Sequence, residues 1–205
     1  LPEGVSETRP LDFHSPYGCS KGAGDQYMVD YARIFGLRTV TFRQSCIYGY
    51  RQFGVEDQGW VAWFTIASQL GKPITIFGDG KQVRDVLFVD DLLELYDRAI
   101  DRIEQCRGGV FNAGGGPDNR MSLLELIGFL EGLNDRSLGY EEAAWRPGDQ
   151  RVFYCDITKA RRVLDWEPTI KPVQGVNRLH TWVEQNPQLF ADAQPAAAVG
   201  GTVTA

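Results

Sequence analysis

The sequence contains few residues that bind metals or form disulfides. Its four cysteines lie far apart with no C-x-x-C pair, and its two histidines, His14 and His180, are distant from each other. This spacing argues against a structural zinc site and against a disulfide framework. We therefore expect no bound metal, and a reducing, cytoplasmic location fits the free cysteines best.

The sequence also lacks a surplus of basic residues and any long apolar run. There are 21 lysines and arginines against 27 acidic residues, which gives a net charge of −6. Nucleic acids and anionic membranes attract basic surfaces, so neither is an expected partner. No run approaches the roughly 18–20 apolar residues of a membrane span, and no signal peptide is visible. A small anionic ligand would have to be bound by a few individual arginines.

The chain does not begin with methionine, and residues 1–11 (LPEGVSETRPL) contain no helix or strand signal of their own. They are typical of a loop that joins an upstream element to the first helix. We therefore expect the sequence to be the carboxyl-terminal part of a longer protein.

The remaining pattern alternates helices and strands, which predicts an α/β fold with a parallel sheet. Ser15 and Gly36 are suitable caps for a helix over 15–35, and Ser122 with Glu125 forms a capping-box pattern. Residues 1–186 are expected to form the domain and 187–205 a disordered tail. Predicted strands cover 37–42, 74–77, 83–89, 109–113, 138–143 and 151–155, and further helices 59–70, 157–165, 172–185 and the segments after 90 and 122.

The pair Tyr17 and Lys21 is the most informative local feature. The two residues are four apart on the predicted first helix and therefore share a face. A phenol titrates near about 10 when unperturbed, so a tyrosine that accepts a proton at neutral pH needs a positive charge such as the Lys21 ammonium nearby. A bare Y-x-x-x-K match is more often an ordinary surface pair, so the pattern needs support from elsewhere in the chain.

That support comes from a series of motifs in a fixed order. After Ser15-Pro16-Tyr17 and Lys21 come 42–49 (FRQSCIYG), 76–80 (IFGDG), 83–91 (VRDVLFVDD), 111–115 (FNAGG), 146–149 (RPGD) and 165–168 (DWEP). The set resembles the carboxyl-terminal part of the extended short-chain dehydrogenase/reductases, and more narrowly the NAD-dependent nucleotide-sugar epimerases and dehydratases. Stretches 11–23, 30–37, 51–53 and 57–60 are most similar to members that epimerise C2 of a CDP-sugar.

The resemblance implies a reaction by transient oxidation. NAD⁺ would accept a hydride from a sugar carbon while Tyr17 takes the hydroxyl proton, and the hydride would return to the other face of the ketone. Lys21 would hydrogen-bond the nicotinamide ribose. Gln44 and Ser45 stand where relatives contact the nicotinamide end of the cofactor, although a loop that only turns the chain is the alternative.

The resemblance also implies a set of substrate contacts. Arg84 and Arg146 correspond to arginines that bind the nucleotide diphosphate, since a guanidinium matches a phosphate pair. Phe77 stands where relatives stack the nucleobase, and Cys46 where many carry an asparagine on the diphosphate. Surface ion pairs and core packing are the ordinary alternatives for these side chains. The other expected contacts are Gln58, Gly59, Trp60 and Asp149.

The implied fold is the carboxyl-terminal part of a Rossmann-type NAD(P)-binding fold with a smaller mixed α/β lobe for the nucleotide-sugar. The N-terminal Rossmann half is missing, because the family's glycine-rich turn and its Ser/Thr partner of the tyrosine belong upstream of Tyr17. Residues 114–116 (GGG) do not replace that turn, since they lack the G-x-G-x-x-G spacing. We expect the chain alone to bind NAD poorly and to be inactive.

Other readings of the same motifs stay open. A nucleotide-sugar 4,6-dehydratase or 4-epimerase would carry most of them, and a non-catalytic nucleotide-sugar-binding or oligomerising remnant would carry them without turnover. The resemblance also implies a homo-oligomer, a dimer or tetramer, with the helices over 15–35 and 59–70 as candidate contacts.

Overall fold

The computed structural model describes residues 3–190 and confirms the α/β class. Helices and strands alternate for most of the chain. In chain order the elements are α1 (Pro16–Phe35), β1 (Thr41–Gln44), β2 (Cys46–Tyr48), α2 (Trp60–Leu70), β3 (Ile74–Phe77), β4 (Val83–Phe88), α3 (Val89–Asp101), α4 (Ile103–Cys106), β5 (Val110–Ala113), β6 (Arg120–Ser122), α5 (Leu123–Asn134), β7 (Tyr140–Ala143), β8 (Val152–Phe153), α6 (Thr158–Leu164), α7 (Pro172–Gln185) and a 3₁₀ helix (Pro187–Phe190).

Strand β4 has neighbours along its whole length. Its second half pairs in parallel with β2, and its first half pairs antiparallel with β6 and parallel with β8. Two further parallel pairs join β1 to β5 and β3 to β7. Parallel pairs need long crossover connections, which the intervening helices supply.

Local signals set the helix ends where the sequence predicts them. The Ser15 hydroxyl accepts a hydrogen bond from the backbone N–H of Gly18 at 3.0 Å, and α1 ends at Gly36 in the left-handed conformation with φ 65°. The Ser122–Glu125 capping box is present at the start of α5. These contacts satisfy backbone groups that a helix end leaves unpaired.

Two apolar clusters form the core. The larger one lies between α2, β3, β4, α5 and α7 and includes Phe64, Phe88 and Leu130. The smaller one joins α3, β5 and α6 and includes Phe111 and Leu164. Within residues 3–190, no helix combines the length and apolarity that crossing a bilayer requires.

Several predicted boundaries were wrong. Strand β7 begins at Tyr140 rather than at residue 138, and β8 covers only Val152–Phe153 of the predicted 151–155. Strand β1 begins at Thr41 rather than at residue 37, because its ladder with β5 starts only there. Residues 187–190, which were predicted to belong to the tail, instead form a 3₁₀ helix (Pro187–Phe190) whose Phe190 side chain is buried. The Phe190 ring packs 5.4 Å from Phe53 and 5.7 Å from Trp182, centroid to centroid. Residues 191–205 of the predicted tail lie outside the described residues.

Candidate active site and nucleotide pocket

Tyr17 and Lys21 lie together on the first turns of α1. The Lys21 Nζ is 5.4 Å from the centroid of the Tyr17 ring, and the Tyr17 side chain is 67% exposed. Ser15 and Pro16 start the helix directly before them, which fixes the direction in which both side chains project. Both residues line an open cavity together with Arg43 and Gln44 of β1. The predicted pair is therefore exposed to a large ligand.

An ion pair ties this helix to β1. The Arg43 guanidinium donates to both carboxylate oxygens of Asp25, at 2.7 Å from Nε and 3.1 Å from Nη2, and its Nη1 donates to the Glu7 carbonyl at 2.9 Å. These hydrogen bonds hold the pKa of the Asp25 carboxyl below its ordinary value, against the opposing effect of burial. Asp25 is two turns beyond Tyr17, so the pair fixes α1 against the strand that carries Gln44.

Gln44 and Ser45 lie at the carboxyl end of β1, where sites in parallel sheets gather. Each side chain already has a partner in the protein. The Gln44 amide donates to the Tyr96 hydroxyl at 2.5 Å, and the Ser45 hydroxyl donates to the Asp85 carbonyl at 3.1 Å and also contacts the Asp85 carboxylate. Gln44 lines the cavity of Tyr17, and both Gln44 and Ser45 line the neighbouring cavity.

Seven of the eight predicted substrate contacts line one cavity of about 140 Å³. It lies between the start of α2, the end of β3, the middle of β4 and the 146–149 turn. The helix starts at Gly59, which has φ 78° and no side-chain cap, so backbone N–H groups of the first turn stay available to an anion. The seven are Gln58, Gly59, Trp60, Phe77, Arg84, Arg146 and Asp149.

Two arginines line this cavity, together with the acidic residues Glu56, Asp57 and Asp149. The Arg146 guanidinium stacks on the Phe77 ring, 3.7 Å from the centroid, and its Nη2 pairs with the Asp57 carboxylate at 2.7 Å. The Arg84 Nη1 donates to the Val83 carbonyl at 2.9 Å. Among the salt bridges of the described residues, none involves Arg84. Its charge is therefore available to an anionic ligand.

Cys46, the eighth predicted contact, lies beside the cavity rather than in its lining. The Trp60 indole N–H donates to the Cys46 sulfur at 3.4 Å. Burial raises the pKa of the Cys46 thiol, so it stays neutral at physiological pH. A partly buried, neutral thiol that accepts from Trp60 supports the position of that ring at the start of α2.

A third open cavity shares lining residues with the other two. Gln44 lines both this cavity and the one at Tyr17, and Asp149 lines both this cavity and the one at the two arginines. His14 and Ser45 also line the middle cavity. An elongated ligand could therefore extend from the two arginines, past Asp149 and Gln44, to the hydroxyl of Tyr17.

Comparison with known families identifies the family of this chain. Residues 2–114 match the model of the NAD dependent epimerase/dehydratase family. The chain belongs to this family. The match covers Tyr17, Lys21 and Arg84, and it ends just after β5.

Individual relatives show which members of the family the chain resembles. The chain is 50% identical to CDP-paratose 2-epimerase of Salmonella typhi over 186 residues, which are 88% of this chain and 55% of that protein. A solved UDP-glucose 4-epimerase from Thermotoga maritima, with UDP-glucose, superposes with TM-score 0.82 at 30% identity, over 90% of this chain and 58% of that one.

A second solved relative, UDP-glucuronic acid 4-epimerase of Bacillus cereus in complex with NAD, superposes with TM-score 0.78 at 28% identity. The alignment covers 89% of this chain and 56% of that one. The chain thus spans about half the length of the relatives it matches. The resemblance to epimerases that was inferred from the motifs is confirmed at the level of the family and its fold.

The structure also reveals contributors that the epimerase motifs did not identify. Asp85 is fully buried, and its carboxylate accepts from Gly116 N–H at 3.1 Å and from the Cys155 thiol at 3.0 Å. Burial, followed by the charge of Asp85, raises the pKa of that thiol. The carboxylate therefore holds the loop after β5 and the Ser45 hydroxyl next to β4.

Gln82 and Asp57 also support the cavity of the two arginines. The Gln82 side chain is buried and donates to the Phe77 carbonyl at 2.7 Å, which fixes the end of β3 below the pocket. Asp57 pairs with Arg146 from the loop before α2. The Asp57–Arg146 contact joins two loops that are 89 residues apart, and the Gln82–Phe77 contact closes the short turn after β3. The sequence motifs assigned no role to either contact.

Proposed function

We propose that this chain carries the nucleotide-sugar site and the proton-transfer residues of an NAD-dependent epimerase that inverts C2 of CDP-paratose or CDP-tyvelose. The proposal depends mainly on one observation: three cavities that share lining residues lead from the two arginines to Tyr17. The choice of CDP-sugar and of C2 is supported by the 50% identity to CDP-paratose 2-epimerase.

Different residues of the proposed nucleotide pocket bind different parts of the substrate. Arg84 and Arg146 bind the diphosphate by charge-assisted hydrogen bonds, and the first turn of α2 adds backbone donors. Phe77 packs against the nucleobase, with Arg146 on its ring. Asp149 orients Arg146 or contacts the ribose, because it lies in the same turn and lines both neighbouring cavities.

Tyr17 and Lys21 serve the reacting sugar carbon. The Tyr17 hydroxyl accepts the proton of the sugar hydroxyl and later returns it, and the Lys21 ammonium stabilises the charge that develops on the phenol oxygen. When bound, NAD supplies the oxidation of that carbon and its reversal. The exposed faces of Tyr17, Lys21 and Gln44 around one open cavity fit the nicotinamide end of such a cofactor.

The adenosine end of the cofactor has no counterpart in this sequence, because no G-x-G-x-x-G turn is present. We therefore propose that the 205-residue chain alone binds NAD weakly and does not turn over. A longer form with an upstream Rossmann half would complete the site. The exposed apolar side chains of α1, which include Tyr31, Ile34 and Phe35, favour a homo-oligomer that buries them, whereas α2 is already buried in its own lobe.

Two other functions compete with this one. The structural similarity to solved 4-epimerases favours a UDP-sugar 4-epimerase. A nucleotide-sugar 4,6-dehydratase is the other enzyme alternative, because the family also includes dehydratases. The exposure of Tyr17 and the half-length chain favour a nucleotide-sugar-binding or oligomerising remnant without turnover.

An assay of product structure separates these functions. CDP-paratose and UDP-glucose are each incubated with NAD and a form of the protein that includes any in-frame coding sequence upstream of Leu1. We expect CDP-tyvelose by NMR, and no product from the Tyr17→Phe variant. Epimerisation of UDP-glucose at C4, or a 4-keto-6-deoxy product, contradicts the proposed C2 chemistry. Nucleotide binding without any turnover would favour the remnant.

A further inference from the structure

Arg146 has partners within the protein on one face of its guanidinium and at one of its nitrogens. One face of its guanidinium covers the Phe77 ring at 3.7 Å. Its Nη2 donates to the Asp57 carboxylate at 2.7 Å and to the Glu56 carbonyl at 3.5 Å. No other hydrogen bond of its guanidinium occurs among residues 3–190. The stacking fixes the plane of the guanidinium, and the two hydrogen bonds occupy one of its nitrogens.

Bidentate binding of a phosphate by Arg146 involves that nitrogen. A guanidinium can bind an oxyanion with two parallel N–H donors along the Nε–Nη2 edge or along the Nη1–Nη2 edge, and both edges include Nη2. Nη2 already donates to the Asp57 carboxylate and to the Glu56 carbonyl. Bidentate binding of a diphosphate by Arg146 therefore competes with these contacts at Nη2.

Of the two partners, Asp57 carries a charge, and its displacement from Arg146 costs little free energy. Its side chain is 86% exposed in the ion pair, against 34% for Arg146. Exposed ion pairs are weak and are screened by salt. A released Asp57 carboxylate is rehydrated at once, while Arg146 keeps its position on Phe77. A diphosphate that also meets Arg84 across the cavity carries more charge than one carboxylate and can displace it.

We propose that Asp57 is a built-in competitor for the diphosphate at Arg146, and that it sets the threshold for which anions the pocket accepts. This inference rests on the proposed nucleotide-diphosphate site. A ligand held at Phe77 and Arg84 displaces Asp57, whereas a free phosphate, which lacks those contacts, does not. Asp57 is thus a specificity-determining residue in the loop before α2, and it lowers the affinity of the pocket for its own substrate.

The test measures binding of CDP, UDP and their nucleosides to the 205-residue chain by calorimetry. We expect Asp57→Asn to tighten nucleoside diphosphate binding by about twofold to fivefold, the range that corresponds to a weak exposed ion pair. Binding of the uncharged nucleosides should stay unchanged. Asp57→Ser is a second variant that removes the carboxylate, in case the asparagine perturbs folding.

Glu56→Gln is the matched control, because it removes the same charge from the same loop, yet Arg146 contacts only the Glu56 backbone carbonyl. We expect its affinity to match that of the wild-type chain. Equal or weaker diphosphate binding in both Asp57 variants overturns the competitor role and leaves the nucleotide site standing. An equal gain in Glu56→Gln also overturns it, since general charge would then explain the effect. A wild-type chain that binds neither CDP nor UDP refutes the proposed site, and the competitor role with it.

Discussion

Helix α1 carries one end of the proposed site and helix α2 carries the other. The two helices are packed in opposite ways. The 11-residue α2 buries seven of its residues. The 20-residue α1 buries only Gly22 and Asp25, and it leaves Tyr27, Tyr31, Ile34 and Phe35 exposed. The nucleotide pocket is thus assembled against a closed core, whereas the Tyr17–Lys21 pair lies on a helix whose apolar side is uncovered.

The strands show the same difference. Strand β4, which carries Arg84, pairs with β2, β6 and β8. Strand β1, which leads to Gln44, pairs with β5 alone among the described strands. The comparison indicates that the proposed nucleotide-binding residues lie on elements packed within this chain, whereas Tyr17, Lys21 and Gln44 lie on elements with fewer partners among the described residues.

The largest expected effect comes from a matched pair of phenylalanines. Phe64 of α2 is 3% exposed and Phe35 of α1 is 65% exposed. Phe64→Ala should lower the free energy of unfolding by about 3–5 kcal/mol, because it opens a cavity in the larger cluster. Phe35→Ala should change it by less than about 0.5 kcal/mol. Urea unfolding of both variants measures this, and similar losses would show that the two helices are packed alike.

The next prediction tests whether nucleotide binding is independent of the proposed catalytic pair, Tyr17 and Lys21. Arg84→Ala should weaken CDP binding by roughly 30-fold to 100-fold, since it removes charge-assisted hydrogen bonds to the diphosphate. Lys21→Ala, at the other end of the site, should leave CDP binding unchanged. Calorimetric titration measures both. A large loss in Lys21→Ala would mean that the nucleotide pocket is not independent of α1.

A third prediction concerns the ion pair that ties α1 to β1. Asp25→Asn should lower the free energy of unfolding by about 2 kcal/mol at pH 7, because the Arg43 guanidinium loses a charged partner. The folded state lowers the pKa of Asp25, so its stabilisation is complete above the ordinary aspartate pKa of about 3.9 and is lost as the pH falls through the lower folded-state pKa. The difference between the wild-type chain and the variant should therefore shrink below about pH 4.

The control for this variant is Asp30→Asn on the same helix. Asp30 pairs with Arg33 at 3.9 Å and both side chains are exposed, so its loss should cost less than about 0.5 kcal/mol. Urea unfolding at several pH values gives both numbers. A difference between the wild-type chain and Asp25→Asn that stays constant down to pH 2 would contradict the assigned role of the Asp25 charge.

The smallest expected effect is at a helix cap. Ser122→Ala removes the capping box of α5 and should cost about 1 kcal/mol. Ser20→Ala lies inside α1, where alanine is the better helix former, so it should be neutral or stabilise by about 0.3 kcal/mol. Thermal unfolding compares the two, and an equal loss in both would show that the cap contributes nothing specific.

How far the sequence predicts this molecule depends on whether a feature is local. The caps at Ser15 and Ser122 are set by residues within three positions, and the structure has both. The resemblance to epimerases also identified residues that meet in one cavity, although they are spread from Gln58 to Asp149.

Features made by distant contacts were not predictable in the same way. Strand β1 starts at Thr41 because β5 pairs with it from Val110 onward. Phe190 is buried because Phe53 and Trp182 surround it. The ion pair of Asp57 and Arg146 forms between two loops, and neither loop has a repeating pattern that would place them together.

The most direct test of the account is a side-by-side titration of the 205-residue chain with CDP and with NAD⁺. The account predicts saturable binding of CDP, which Arg84→Ala weakens by roughly 30-fold to 100-fold, and no binding of NAD⁺ at micromolar concentrations. Micromolar affinity for NAD⁺, or failure to bind CDP or UDP at all, would contradict the claim that this chain contains a complete nucleotide pocket beside half of a dinucleotide site.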